Sequence, residues 1–111
     1  MTGLQPLRLF VAVGTLLASL GGAHAAGDAE EGHRLALLWC ANCHVVDDAQ
    51  ATASADVPPF TAIANSEALT TESLSVFLAD PHPVMPDMDL SRSEIADIVA
   101  YIESLKSDGA D

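Results

Sequence analysis

Cys40-Ala41-Asn42-Cys43-His44 places two thiols three residues apart with an imidazole directly after the second. At a helix end this spacing brings both sulfurs to one side, and the adjacent ring can lie over a metal held between them. Four chemistries use such a pair. A redox-active dithiol normally accompanies βαβ patterning, and no alternating strand pattern occurs in the chain. A two-cysteine zinc site needs further ligands at suitable spacing. A structural disulfide between residues this close closes too short a loop to stabilise much. C-x-x-C-H is also the attachment signature for c-type haem, in which each thiol adds across a vinyl group and the histidine supplies an iron ligand. The rest of the chain favours haem.

Three helices must position these groups. The first is expected from about Asp28 to Trp39: Asp28, Glu30 and Glu31 suit a helix N-terminus, and Leu35, Leu38 and Trp39 form an i, i+3, i+4 stripe that leads into Cys40. A second is expected from Thr71 to Ala79, with Thr70 as N-cap, Leu74, Phe77 and Leu78 on one face, and Pro81 past its end. The third, from Arg92 to about Lys106, opens on the capping box Ser91-Arg92-Ser93-Glu94 and carries Ile95, Ile98, Val99, Ile102 and Leu105 at helical spacing. Val45 to Val57 has no period and closes on Pro58-Pro59, so it reads as loop, with a short turn near Thr61 to Ala64.

The chain has 111 residues, enough for one domain, and a net charge of −12. That charge argues against any electrostatic grip on nucleic acid or on an anionic membrane surface, both of which attract lysine and arginine clusters. Residues Leu4 to Leu20 hold one charge, Arg8, ahead of an apolar run from Leu9 to Leu20. Gly21-Gly22 and Ala23-His24-Ala25 follow. This is the layout of a secretory signal peptide over residues 1–25, cut after Ala25. The apolar run is too short for the roughly 20 residues that a bilayer-spanning helix needs, so no membrane insertion is expected after the cut. What remains, residues 26–111, has 3 basic and 16 acidic side chains, a net −13. Its large aromatics are Trp39, Phe60, Phe77 and Tyr101, and alanine supplies much of the other apolar content. A core this poor in bulk is expected to be completed by a disulfide, a metal or a large apolar cofactor, and the cysteine spacing has to decide among them.

The mature chain resembles the class I (monohaem) c-type cytochromes over nearly all of its length. The attachment motif lies near the mature N-terminus, as in that family. Gly32, eight residues before Cys40, matches the small residue at which the family's first helix crosses its last, and Asp97-Ile98-Val99-Ala100-Tyr101-Ile102 resembles the other half of the crossing, with Ile98 and Tyr101 as packing partners. Pro58-Pro59-Phe60 resembles the family's proline-x-hydrophobe segment, so the resemblance assigns to the Pro58 carbonyl a hydrogen bond from the ring N–H of His44. The implied fold is all-α: a small cytochrome c-like domain over residues 26–111, three main helices with loops wrapped around one covalent haem c, the N- and C-terminal helices crossing. Cys40 and Cys43 would hold the haem and His44 its iron.

For the sixth iron ligand, the family's Met-Pro dipeptide and its distance to the aromatic residue of the last helix favour Met85, with Met88 and then His82 as alternatives. The family often carries a mid-chain tryptophan that reaches a haem propionate. Here the single tryptophan is Trp39, expected to pack against the haem edge or the third helix, and His33 is expected to be solvated on the first helix. Iron bound by His44 and a thioether has no free position for substrate. The implied function is therefore an exported, periplasmic one-electron carrier and not an enzyme. Two other classes stay open: an electron-relay subunit of a larger periplasmic dehydrogenase or oxidase, and a haem protein with an open sixth site that binds gas or acts as a peroxidase. Asp47 and Asp48 follow the motif and Asp80, Asp87 and Asp89 flank the Met85 loop. Carboxylates around the haem edge would meet a basic patch on a redox partner. Acids that merely keep a small surface soluble are the competing account.

Overall fold

The computed structural model describes residues 27–81 and 85–107, together with Gly3. The expected export signal with its Ala25 cut, His82 and the last four residues lie outside the described residues. Four helices follow in order: α1 (Ala29–Trp39), α2 (Phe60–Ala64), α3 (Thr71–Ala79) and α4 (Arg92–Ser104). No strand occurs among the described residues.

Each longer helix starts where its side chains can satisfy the first free backbone N–H groups. The Asp28 carboxylate accepts from Glu30 N at 2.9 Å and Glu31 N at 3.1 Å, so Asp28 is the cap of α1 and not its first residue. Thr70 and Ser73 form a reciprocal box at α3, as do Ser91 and Glu94 at α4. Helix α4 stops at Ser104, short of the expected Lys106. Its last turn tightens to i→i+3 bonds, Leu105 N to Ile102 O at 3.0 Å and Lys106 N to Glu103 O at 3.2 Å. The turn expected at Thr61 to Ala64 is the helix α2, which begins at Phe60: Pro59 stands at its N-cap, and the Pro59 carbonyl accepts from Ala62 and Ile63.

The core forms where α1 crosses α4. Leu35 and Ala36 of α1 meet Ile95, Ile98, Val99 and Ile102 of α4 in one buried cluster, which Phe60, Leu74, Leu78 and Val46 extend. Gly32 permits the crossing. A Cβ there would overlap the backbone carbonyl of Asp97 and come within 2.9 Å of Tyr101 Cβ. The tight contact at the glycine is with Asp97 and Tyr101, and Ile98, the other expected packing partner of the crossing, is fully buried in the cluster with Leu35 and Ala36. The start of α1 is pinned to the same place, because Asp28 N donates to Asp97 Oδ1 at 2.8 Å.

The obstacle at Gly32 is backbone, which cannot rotate aside as a side chain can. Gly32→Ala is therefore expected to lower the stability of the haem-loaded protein by about 2 kcal/mol, despite the better helix propensity of alanine. The guanidinium midpoint of unfolding measures it.

Candidate functional site

Helix α1 runs out at Trp39, and the C-x-x-C-H segment is a turn built on its end. Cys40 N and Ala41 N both donate to Ala36 O, at 2.8 and 2.9 Å, and Cys43 N and His44 N both donate to Cys40 O, at 3.1 and 2.8 Å. The turn brings Cys40, Cys43 and His44 to the wall of one cavity of about 420 Å³. Cys40 is buried and Cys43 half-buried, and both are free thiols. Burial, and secondarily the neighbouring Cys43, pushes the Cys40 thiol up to about 11. The zinc reading lacks ligands: no group of three or more His, Cys, Asp or Glu side chains among the described residues is placed to hold a metal ion.

His44 Nδ1 lies 2.7 Å from the carbonyl oxygen of Pro58. A carbonyl only accepts, so Nδ1 carries the proton and Nε2 is left with its lone pair free to ligate. The Pro58 segment is brought there by Phe60, whose N–H donates to Val45 O at 2.9 Å. The Phe60 ring is 4% exposed and packs against the His44 ring, centroids 5.5 Å apart, and against Tyr101 at 6.3 Å.

The same cavity is walled by Leu74, Phe77 and Leu78 of α3 and by Met85, Pro86 and Met88 of the loop before α4. Both methionine candidates reach it, but of the two only Met85 also packs against the core cluster. His82 lies outside the described residues. The loop turns sharply at Asp89, which has φ 53° and donates its N–H to Asp87 Oδ1 at 2.8 Å, a conformation that a short carboxylate side chain tolerates. No Asp, Glu, Lys or Arg among the described residues lines the cavity. Two thiols, an imidazole with one nitrogen free and a thioether around an apolar space fit a haem. Trp39 is not part of the core: it is 43% exposed and lines the cavity at the mouth of the attachment turn.

Two expectations about polar residues change. His33 is not simply solvated. Its ring stacks on Tyr101 with centroids 4.7 Å apart and planes 19° from parallel, and its Nε2–H donates to Asp47 Oδ2 at 2.7 Å. Asp47 is accordingly engaged with α1, while Asp48, Asp80, Asp87 and Asp89 are exposed. Tyr101 completes the connection: its buried hydroxyl donates to Val46 O at 2.5 Å. One helix–loop–helix bridge thus ties α1 and α4 to the residues just after His44. The sequence carries no signal for it, since a histidine and an aspartate 14 positions apart meet only through the fold.

The cytochrome c family model matches residues 29–106. Among curated proteins, cytochrome c-552 of Bradyrhizobium diazoefficiens is 51% identical over 90 residues, covering 81% of this chain and 86% of the relative. No solved structure matches the chain.

The hydrogen bond from His33 holds the Asp47 carboxyl below the usual carboxylate range, outweighing the burial that raises it, with the Ala49 N–H adding to the effect. A depressed folded-state value means that Asp47 contributes stability above its unfolded value of about 4 and loses it as pH falls through the lowered one. Asp47→Asn is expected to lower the melting temperature at pH 7 and to flatten its decline between about pH 5 and pH 2. Thermal unfolding across that range checks it.

Proposed function

The chain belongs to the cytochrome c family, and from that premise we propose that it is an exported monohaem carrier of single electrons, working between periplasmic redox partners. Its cofactor is haem c, held covalently, and the chain has one C-x-x-C-H motif to hold it. When bound, the haem supplies a one-electron couple at its iron. The chain's own residues anchor it, orient its ligands and keep water away.

In this reading the thiols of Cys40 and Cys43 become thioethers, so the cofactor cannot be lost outside the cell. His44 presents Nε2, and its Nδ1–H, given to the Pro58 carbonyl, fixes the ring and raises its donor strength. Met85 is the sixth ligand: it is half-buried, lies on the cavity wall and is held by the core behind it and by Pro86 after it. With His44 and Met85 both given to the iron, no position would be left for a substrate, which favours a carrier over an enzyme. The observation that carries this reading is the convergence of Cys40, Cys43, the Pro58-bonded His44 and Met85 on one apolar cavity. Export rests on the residue 1–25 signal, with the mature chain beginning at Ala26. No helix among the described residues is long and apolar enough to cross a membrane.

The partner surface is read from charge. The exposed carboxylates of Asp48, Asp80, Asp87 and Asp89, on a chain with a net −12, favour a partner with a basic patch and an encounter steered by electrostatic attraction. Asp47 is left out of that set because His33 occupies it.

Two measurements test these assignments. In the oxidised protein, Met85→Ala is expected to abolish the methionine-to-iron charge-transfer band and Met88→Ala to preserve it; the reverse pattern transfers the ligand to Met88. Electron-transfer rates with a basic partner are expected to fall steeply as salt rises from about 0.01 M to 1 M, because the screening length shrinks from about 30 to 3 Å. A flat profile removes the docking account and leaves the acids a solubility role.

A further inference from the structure

The loop between the attachment turn and α2 contains one neutral side chain that bonds to the turn's backbone at several points. Gln50 is half-buried. Its Nε2 donates to His44 O at 2.7 Å and to Ala41 O at 2.8 Å, and its Oε1 accepts from Val46 N at 3.1 Å. A carboxamide has two N–H bonds, so the two short contacts use both, and the 3.3 Å approach to Thr52 O is a weak shared one. The opposite orientation of the amide would set its oxygen against two carbonyl oxygens and its NH₂ against the Val46 N–H, so the network admits one orientation.

We propose that Gln50 is a positioning residue for His44, holding the backbone end of the iron ligand while the Pro58 carbonyl holds its ring end. The carbonyls of Ala41 and His44 lie beyond the end of α1, where no following turn of helix can supply donors. They bracket Asn42-Cys43-His44, the stretch that carries one thioether and the imidazole. The neighbouring carbonyls are secured by the same loop: Asn42 O by the backbone and hydroxyl of Ser54, Val45 O by Phe60 N. Gln50 differs from these in gripping both sides of the stretch with a single rigid amide. Gln50 holds the backbone that carries the His44 side chain, through its carbonyl, and Pro58 O holds the ring, through Nδ1. Gln50, six positions away, would thereby help to set the plane that the His44 ring presents to a bound haem, on which the electronic structure of the oxidised iron depends.

This inference rests on the reading of His44 as an iron ligand, and NMR of the haem-loaded protein separates the two. In the wild type, the Gln50 side-chain NH₂ is expected to exchange with solvent about tenfold or more slowly than a free carboxamide. Exchange at the free rate overturns the proposal, and this arm needs no variant. Gln50→Met keeps the length of the side chain without donor or acceptor. It is expected to shift the haem methyl resonances of the oxidised protein and its reduction potential, with the Met85-to-iron band retained. Thr71→Val, which removes a bond to Glu103 between α3 and α4, is the control expected to lower the melting temperature and leave resonances and potential in place. If Gln50→Met does the same, Gln50 is merely structural and the proposal is overturned. If Gln50→Met fails to take up haem, the wild-type exchange rate decides. A wild type lacking the hyperfine-shifted spectrum of a histidine-ligated haem would defeat the ligand reading instead.

Discussion

Two thiols and an imidazole within five residues have to face one apolar cavity at the point where their helix has ended. That constraint organises the loop that follows. Beyond Trp39 the carbonyls of the turn lose their helical partners and take donors from elsewhere. Gln50, Ser54 and Phe60 supply the donors, so residues 45–60 fold back along the turn they follow. The same fold-back delivers the Pro58 carbonyl to His44 Nδ1 and the Phe60 ring to the imidazole face. A requirement of backbone hydrogen bonding thereby fixes the tautomer of His44, with the proton on Nδ1 and Nε2 free.

The second support is the crossing of α1 and α4. Gly32 brings α1 onto the backbone of Asp97, and the two helices close the back of the core. Tyr101 uses this proximity twice, stacking on His33 and donating to Val46 O. The attachment turn is therefore held on both sides, by the loop in front and by the His33–Asp47–Tyr101 bridge behind. The loop with Met85 leads directly into α4, so the crossing also sets where that thioether can lie.

Charge is arranged to leave the cavity neutral. The acids that dominate the chain keep out of its lining among the described residues and lie at helix N-termini, in the His33 pair or in solvent. In an apolar surrounding little solvent would compensate a change in the charge of a bound haem, so its ligands and their hydrogen bonds would carry much of the tuning. The exposed carboxylates of Asp48, Asp80, Asp87 and Asp89 stand outside that lining.

The sequence alone determined whatever depends on neighbours along the chain. The spacing of Cys40, Cys43 and His44 identifies the chemistry because its geometry is local. The caps at Thr70 and Ser91 and the apolar stripe of α4 mark helices because their period is local as well. Gly32 and Pro58 were legible through a resemblance, not through any pattern of their own. Tertiary structure decided what depends on residues far apart in sequence. His33 could be placed on a helix face but not against Asp47 and Tyr101. Gln50, in an aperiodic stretch rich in alanine, serine, threonine and aspartate, had no signature, because the carbonyls that it satisfies become its neighbours only when the loop folds back. The Met-Pro dipeptide favours Met85 over Met88 through the resemblance; that both line one cavity while Met85 also packs against the core is a property of the folded loop.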